Sequence, residues 1–464
     1  MKRTLGDFAR ACGGRLEGAD RSFTAVSTDT RTLGSGELFV ALRGPRFNGH
    51  EFLGAAQTAG AAGAVVDAAG ALVHAPSAAP FSLITVADTQ MALARAATAW
   101  RSQYTLPLIG VAGSNGKTTV KEMIAAVLAQ AGSVLATRGN LNNHIGVPLT
   151  LLRIEPTHRF AVVEMGANRA GEVAELARIA RPGIGLITNA GAEHLEGFGS
   201  LEGVARAEGE MVAAIGPEGI AVINADDPYA ALWRSLTRAK VLSFGTEQTA
   251  DFRARDLRAQ ITGAEFRTHF TLECELGRTP IELHLAGRHN VANALAAAAA
   301  AAAAGASLGQ IAAGLQSMRA VQGRLQLKRA RSGAWLIDDS YNANPSSVRA
   351  GIEVLAELDG RKWLVLGDMA ELGEFAQASH AEIGTFARER GIERLFATGS
   401  LAVLAAESFG PGAHWYPDAE ALAHALDAAA VPEVRMLIKG SRVNRLERVV
   451  AALLPAADAA RSGA

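Results

Sequence analysis

Seven consecutive residues, Gly113-Ser114-Asn115-Gly116-Lys117-Thr118-Thr119, constrain this chain more tightly than any others. They follow an apolar run over 108–112 that reads as a buried strand, and they precede a helical pattern over 120–130. Glycines in such a turn let backbone N–H groups converge on phosphate oxygens, and the helix N-terminus adds a favourable dipole. Lys117 can reach β- and γ-phosphates, and Thr118 can ligate magnesium. The spacing departs from GxxxxGK[ST], since Val111 stands where the first glycine would be. GKTT at a strand-to-helix junction still reads as a phosphate loop rather than a plain glycine turn.

The rest of the chain alternates in the way a strand–loop–helix unit requires. Over 107–321, short apolar runs at 134–136, 160–164, 185–188 and 220–223 alternate with helical stretches, which predicts a parallel sheet covered on both faces. Ligands of such sheets sit at the carboxyl ends of the strands. Residues 1–86 carry β-rich pieces at 38–42 and 63–66 and one helical stretch at 50–62, predicting a small α/β domain; a helix over 91–103 joins it to the next. A third alternating block fills 323–464, with strands at 335–337, 362–366, 394–397 and 435–438. It lacks GxGxxG after its first strand, so it is expected to be Rossmann-like without holding a dinucleotide. The fold class is therefore α/β with three domains, in keeping with 464 residues, too many for one core. The alanine-rich helix over 290–304 reads as packing.

Composition narrows the partners. The 45 basic and 46 acidic residues nearly cancel, so no whole-chain field draws the protein to nucleic acid or an anionic membrane. Anionic substrates must be held by local groups. Cys12 and Cys274 lack CxxC spacing and read as packed thiols, the N-terminus carries no apolar signal run, and no apolar stretch reaches membrane-spanning length. A soluble cytoplasmic protein, working as a monomer, is expected.

Two further strand ends add chemistry. The run 160–163 delivers Glu164, and a carboxylate presented beside a phosphate loop is a usual magnesium ligand. The segment Thr188-Asn189-Ala190-Gly191-Ala192-Glu193-His194 offers His194, whose neutral imidazole can bind a metal.

These motifs resemble the Mur ligase family over nearly the whole chain. Its ATP loop has the Gly-x-x-Gly-Lys-Thr form found here. The resemblance extends to Glu164, His194, Gly287-Arg288-His289-Asn290-Val291-Ala292-Asn293, Gly323-Arg324 and Asp338-Asp339-Ser340-Tyr341-Asn342-Ala343-Asn344-Pro345. It implies ATP and magnesium as cofactors, with Asn290 and Asn293 near the nucleotide, Arg324 reaching it from a hinge, and Asp339 near the ribose or hinge. It makes the N-terminal domain the UDP-sugar domain, where Ser27, Asp29, Arg31 and Arg43 lie in segments similar to the family's UDP-binding stretch. Gly367-Asp368-Met369-Ala370-Glu371-Leu372-Gly373 and Lys439-Gly440-Ser441-Arg442 are similar to the branch that joins D-alanyl-D-alanine to UDP-N-acetylmuramoyl-tripeptide through an acyl-phosphate. Lys439 or Arg442 would then meet the dipeptide carboxylate.

One position departs from the pattern. The family usually carries a carbamylated lysine in the helix after His194, and Glu208 stands where that lysine is expected. Glu208 is expected to supply its carboxylate unmodified, completing a metal set of Thr118, Glu164, His194 and Glu208. The catalytic expectation is Lys117, Glu164, His194 and Arg324. Another amide ligase of the same family and a phosphate-loop regulatory NTPase remain as alternative readings.

Overall fold

The strand Leu108–Ala112 is buried along its whole length, because it runs between Phe160–Glu164 on one side and Ile184–Ile187 on the other, both parallel to it. Its side chains alternate as a strand's must: Ile109 and Val111 enter one apolar cluster, Leu108 and Ala112 the opposite one. Helices Lys117–Ala129, Arg288–Ala303 and Leu308–Ser317 bury apolar residues in the first cluster, and Glu172–Ala180 and Leu201–Ala213 in the second. Both faces of the sheet are covered, as its continuous apolar strands require. The computed structural model describes residues 3–45, 47–74, 81–262 and 265–455.

The architecture is three-domain α/β. Among the described residues the central sheet has nine strands, six mutually parallel and then a wing in which Phe252–Thr262 joins parallel to Lys240–Gly245 and pairs antiparallel with Glu265–Cys274, itself antiparallel to Gly277–Leu283. Sequence periodicity predicts the parallel part and not the wing, whose strands alternate buried and half-exposed residues because only one face packs. Most of the alanine run lies inside: Ala296 through Ala301 have no exposed surface, and Ala302, Ala303 and Ala304 are half-buried. Such small side chains let neighbouring helices approach closely. Nearby, a methyl group on Gly314 would stand 2.3 Å from Val127 Cα.

The N-terminal sheet has five strands in the order Arg15–Glu17, Leu83–Val86, Gly63–Asp67, Leu38–Val40 and Val26–Ser27, only the first antiparallel. The helix expected over 50–62 is shorter, a 3-10 turn Gly49–Phe52 leading into Leu53–Thr58. Gly60, at φ +82°, turns the chain back so that Ala61 N–H reaches Ala56 O, which stops the helix. The connecting helix Thr89–Arg101 begins at Asp88, whose carboxylate accepts the Met91 N–H at 2.8 Å. Its far end is anchored to the central domain by Trp100 Nε1 donating to Ile154 O and Arg101 Nε to Ala180 O.

The C-terminal sheet has six strands, Gln326–Arg329 antiparallel at one edge and then Trp335–Asp339, Val434–Lys439, Arg361–Leu366, Arg394–Thr398 and Ala413–Tyr416, all parallel. Register places Asp339 directly beside Lys439 at the carboxyl ends of adjacent strands. Both cysteines are free thiols, and among the described residues no helix is long and apolar enough to cross a membrane.

Candidate active site

The loop after the central strand can exist only with glycine at two positions. Gly113 and Gly116 have φ of +118° and +84°, and a Cβ would lie 2.1 Å from Thr188 Oγ1 at the first and 2.4 Å from Asn293 Oδ1 at the second. The helix begins at Lys117, so its unpaired N–H groups face the loop. The loop between is braced from the neighbouring strand end: Asn115 N–H donates to Asn189 Oδ1 at 3.0 Å, and Gly191 N–H to Ser114 Oγ at 2.8 Å. Thr119 is buried in the first turn.

Lys117 curls back over this loop, its ammonium donating to the carbonyls of Gly113 and Ser114 and lying 3.2 Å from Glu193 Oε1. Burial opposes its charge, but the nearby carboxylates of Glu193, Glu208 and Glu164 outweigh burial and hold its pKa above the ordinary lysine range. The cation is therefore ready for an anionic ligand. Glu193 itself is buried, which raises its pKa against the pull of Lys117 and His194.

Glu164 ends its strand inside the same cleft. Its Oε1 accepts hydrogen bonds from Thr118 Oγ1 at 3.2 Å and Asn142 Nδ2 at 2.9 Å, while its Oε2 is buried with no hydrogen-bond partner among the described residues. From the C-terminal side, Arg324 donates to Thr118 Oγ1 at 3.2 Å and lies over the Tyr341 ring at 4.5 Å. Arg324 thus bridges two domains at the phosphate loop.

His194 has a left-handed backbone, φ +47°, and its Nδ1 lies 2.7 Å from Glu371 Oε2 of the C-terminal domain. Glu371 is also left-handed, at φ +65°. Two residues in sparsely populated conformations thus meet across a domain boundary. Glu208 turns toward the loop backbone instead, its Oε2 accepting the Gly113 N–H at 2.6 Å. Burial pushes its pKa up to about 7. Thr118, Glu164 and His194 line one cavity that Glu208 does not line, and among the described residues no group of three His, Cys, Asp or Glu side chains is placed to hold a metal ion. The four expected metal ligands are not brought together as one set, because a backbone amide and Glu371 take up two of them.

A second cavity, of about 360 Å³, opens on the other side of the loop and is lined by Gly116, Asn290, Asn293, Arg324, Asp339 and Lys439 among others. Asn293 Nδ2 donates to Asn290 Oδ1 at 3.1 Å, and Asn290 Nδ2 to Ala286 O at 2.7 Å, so both amides are held at the cavity wall. His289, beside them, is half-buried, and its desolvation together with the charge of Lys439 lowers its pKa to about 4. Lys439 is 3% exposed and committed to Asp339 Oδ2 at 2.6 Å and Asn342 O at 2.9 Å. Arg442 is exposed, its guanidinium 5.3 Å from the Tyr341 ring. Of the two cations expected to meet a dipeptide carboxylate, only Arg442 keeps an open guanidinium.

The N-terminal residues lie apart from this cleft. Ser27 Oγ accepts the Asp29 N–H at 3.2 Å, closing a turn in which Arg31 hydrogen-bonds Asp29 and holds its pKa at about 2. Arg43 pairs with Asp67 at 2.6 Å. Sequence reasoning gave no role to Asn142, Glu193, Asn344 or Ser346. Asn344 Nδ2 donates to Asn115 Oδ1 and Asn115 Nδ2 to Ser346 Oγ, each at 2.9 Å, so the C-terminal domain reaches over the phosphate loop. The signal was present in part: Asn344 precedes Pro345 as a helix cap, and Asn142 follows a predicted strand end.

A phosphate loop with a charged lysine, a strand-end glutamate and an arginine donated by a third domain defines an ATP-dependent ligase of three α/β domains. Three family models match the chain: "Mur ligase family, catalytic domain" over residues 22–101, "Mur ligase middle domain" over 111–301 and "Mur ligase, glutamate ligase domain" over 323–442. The UDP-N-acetylmuramoyl-tripeptide--D-alanyl-D-alanine ligase of Escherichia coli (strain K12) is 43% identical over 97% of this chain and 98% of its own. A crystal structure of MurF from Acinetobacter baumannii superposes with a TM-score of 0.89 at 32% identity, covering 98% of this chain and 99% of that one. MurF ligase from Thermotoga maritima in complex with ADP gives a TM-score of 0.79 at 27% identity, covering 92% and 96%. The chain belongs to the Mur ligase family.

Proposed function

We propose that this protein joins D-alanyl-D-alanine to UDP-N-acetylmuramoyl-tripeptide at the expense of ATP, in the cytoplasm, making the pentapeptide precursor of the cell wall. The observation that carries this reading is the convergence of Lys117, Thr118, Glu164 and Arg324 on one cleft between two domains. The relatives' shared name, borne by a protein aligned over 97% of this chain, supports the choice of substrates.

The chemistry follows from what these groups hold. A carboxylate is a poor electrophile and must first be activated. The tripeptide's terminal carboxylate oxygen bonds to the γ-phosphorus of ATP as the bond to the β,γ-bridging oxygen breaks, giving an acyl-phosphate and ADP. Lys117, the loop amides and Arg324 offset charge on the transferring phosphoryl group. The residues fit one magnesium ion, since Glu164 Oε2 is a buried acceptor without a partner among the described residues, on a carboxylate that also meets Thr118. Thr118 and Glu164 would hold it, and once bound it would neutralise phosphate oxygens. The neutral amine of the dipeptide then bonds to the acyl carbon, and the tetrahedral intermediate collapses as its carbon–oxygen bond to phosphate breaks, the amine giving up one proton that leaves with the released phosphate.

In this reading residues 1–86 bind the UDP-sugar through Ser27, Asp29, Arg31 and Arg43, residues 107–321 bind ATP, and residues 323–464 present the dipeptide, with Arg442 facing its carboxylate. Glu208 braces the phosphate loop through the Gly113 amide, while His194 pairs with Glu371 across the domain boundary, so Glu208→Ala is expected to impair turnover without rescue by bicarbonate. The deciding experiment measures phosphate release from ATP with the UDP-tripeptide, with and without D-alanyl-D-alanine. Release requiring both, and a product heavier by one dipeptide less one water, is the expected result. Release with another amino acid in place of the dipeptide overturns the substrate, and release without any acceptor favours a regulatory NTPase.

A further inference from the structure

A cavity of about 480 Å³ opens between the connecting helix Thr89–Arg101 and helix Glu172–Ala180, and none of its lining residues lines the cavities around the phosphate loop. Arg95 enters it from the first helix, and Arg178 and Arg181 from the end of the second. None of these guanidiniums makes an ion pair among the described residues. The one carboxylate in the lining, Glu175, is already taken by His144 Nε2 at 2.9 Å. Arg181 lies close enough to Arg101 that, added to the effect of burial, its charge disfavours the protonated form of that residue. The seam is thus a concave surface with a surplus of positive charge.

Helix stability accounts for part of this arrangement only. Arg178 and Arg181 offset the dipole at their helix C-terminus, whereas Arg95 belongs to a different helix and converges on the same space. Like charges facing one concavity repel each other and focus a field that an anion would relieve. Beside them Met91 is half exposed, and Ala94 and Ile179 supply an apolar floor.

We propose that this seam binds a small phosphorylated anion of the diphosphate class, with its charged end on Arg95, Arg178 and Arg181 and its less polar side on Met91 and Ile179. Guanidinium groups match phosphate oxygens in paired hydrogen bonds, which suits three of them to a multiply charged group. The site joins the connecting helix to the central domain, and Ala11 of the N-terminal domain closes one side. An occupant would therefore brace the N-terminal domain against the central one. The inference does not depend on the substrates proposed above.

Inorganic pyrophosphate is the probe, titrated calorimetrically into the full chain already saturated with a non-hydrolysable ATP analogue, so that the phosphate loop is filled. One further equivalent is expected to bind, more weakly as salt is raised, and at least tenfold more weakly in Arg95→Gln/Arg178→Gln. Both positions are exposed, and unchanged affinity for the ATP analogue reports that the variant is folded; Arg95→Gln alone serves if the double variant is not. Absence of binding by the saturated wild-type chain, or undiminished binding by the folded variant, overturns the proposal.

Discussion

Glu164 shows how one side chain can be poised by what it lacks. One of its oxygens is fully engaged and the other is buried without a partner among the described residues, a cost of about 1–3 kcal/mol that a bound cation would remove. Glu164→Gln keeps the shape and removes the charge, and is expected to lower turnover by roughly 100-fold or more while leaving the thermal melt unchanged or raised. Steady-state phosphate release and a melting curve check both parts. His289 makes a pH prediction of definite sign. Its pKa is about 4 in the fold and near 6.5 in an unfolded chain, so between those values the unfolded chain binds more protons. Stability from this residue is present above pH 6.5 and lost as pH falls toward 4. Urea midpoints at pH 7 and pH 5 should differ less in His289→Gln than in the parent protein.

At the scale of elements, the phosphate loop and the helix pair behind it are governed by space. Gly113→Ala would drive a methyl group against Thr188 Oγ1 and force a left-handed residue, so it is expected to cost about 1–3 kcal/mol and to weaken ATP-analogue binding at least tenfold. Equilibrium unfolding with a parallel binding titration measures the two effects. Gly314→Ala tests packing alone. It lies behind the loop helix, where a methyl would meet Val127 backbone, and a loss of about 1–3 kcal/mol with catalytic parameters preserved in the folded enzyme is expected. A kcat change equal to that of Gly113→Ala would show that the two helices move with the chemistry instead.

Across the whole molecule, the third domain meets the second through polar bonds around the cleft and through an apolar cluster in which Leu195, Val204, Phe266 and Ala286 join the C-terminal core. Asn344 and Ser346 meet Asn115, Arg324 meets Thr118, and Glu371 meets His194. Such bonds suit an interface that must open to admit ligands and close before chemistry. Asn344→Ala removes one bond over the loop and also a helix cap. X-ray scattering is expected to show a smaller ligand-induced compaction in that variant than in the parent protein, with kcat reduced. Equal compaction in both would assign Asn344 to helix capping only.

Much of this was legible in the residues themselves. Glycine at 113 and 116, lysine at 117 and a glutamate closing an apolar strand state their roles through local chemistry, because a phosphate loop is built from one short segment. The parallel strands and their covering helices followed from apolar runs for the same reason. The antiparallel wing and the early stop at Gly60 were less visible, since half-buried strands and a single turn leave weaker periodicity. What only the tertiary structure decided is the engagement of each charge. Sequence presents Lys439 and Arg442 as equivalent cations, but strand register sets Lys439 beside Asp339 and leaves Arg442 open. Sequence presents Glu208 as a free carboxylate, but helix Leu201–Ala213 delivers it to the Gly113 amide, ninety-five residues away along the chain. Local motifs fix which groups a segment carries, and long-range packing alone determines which of them meet.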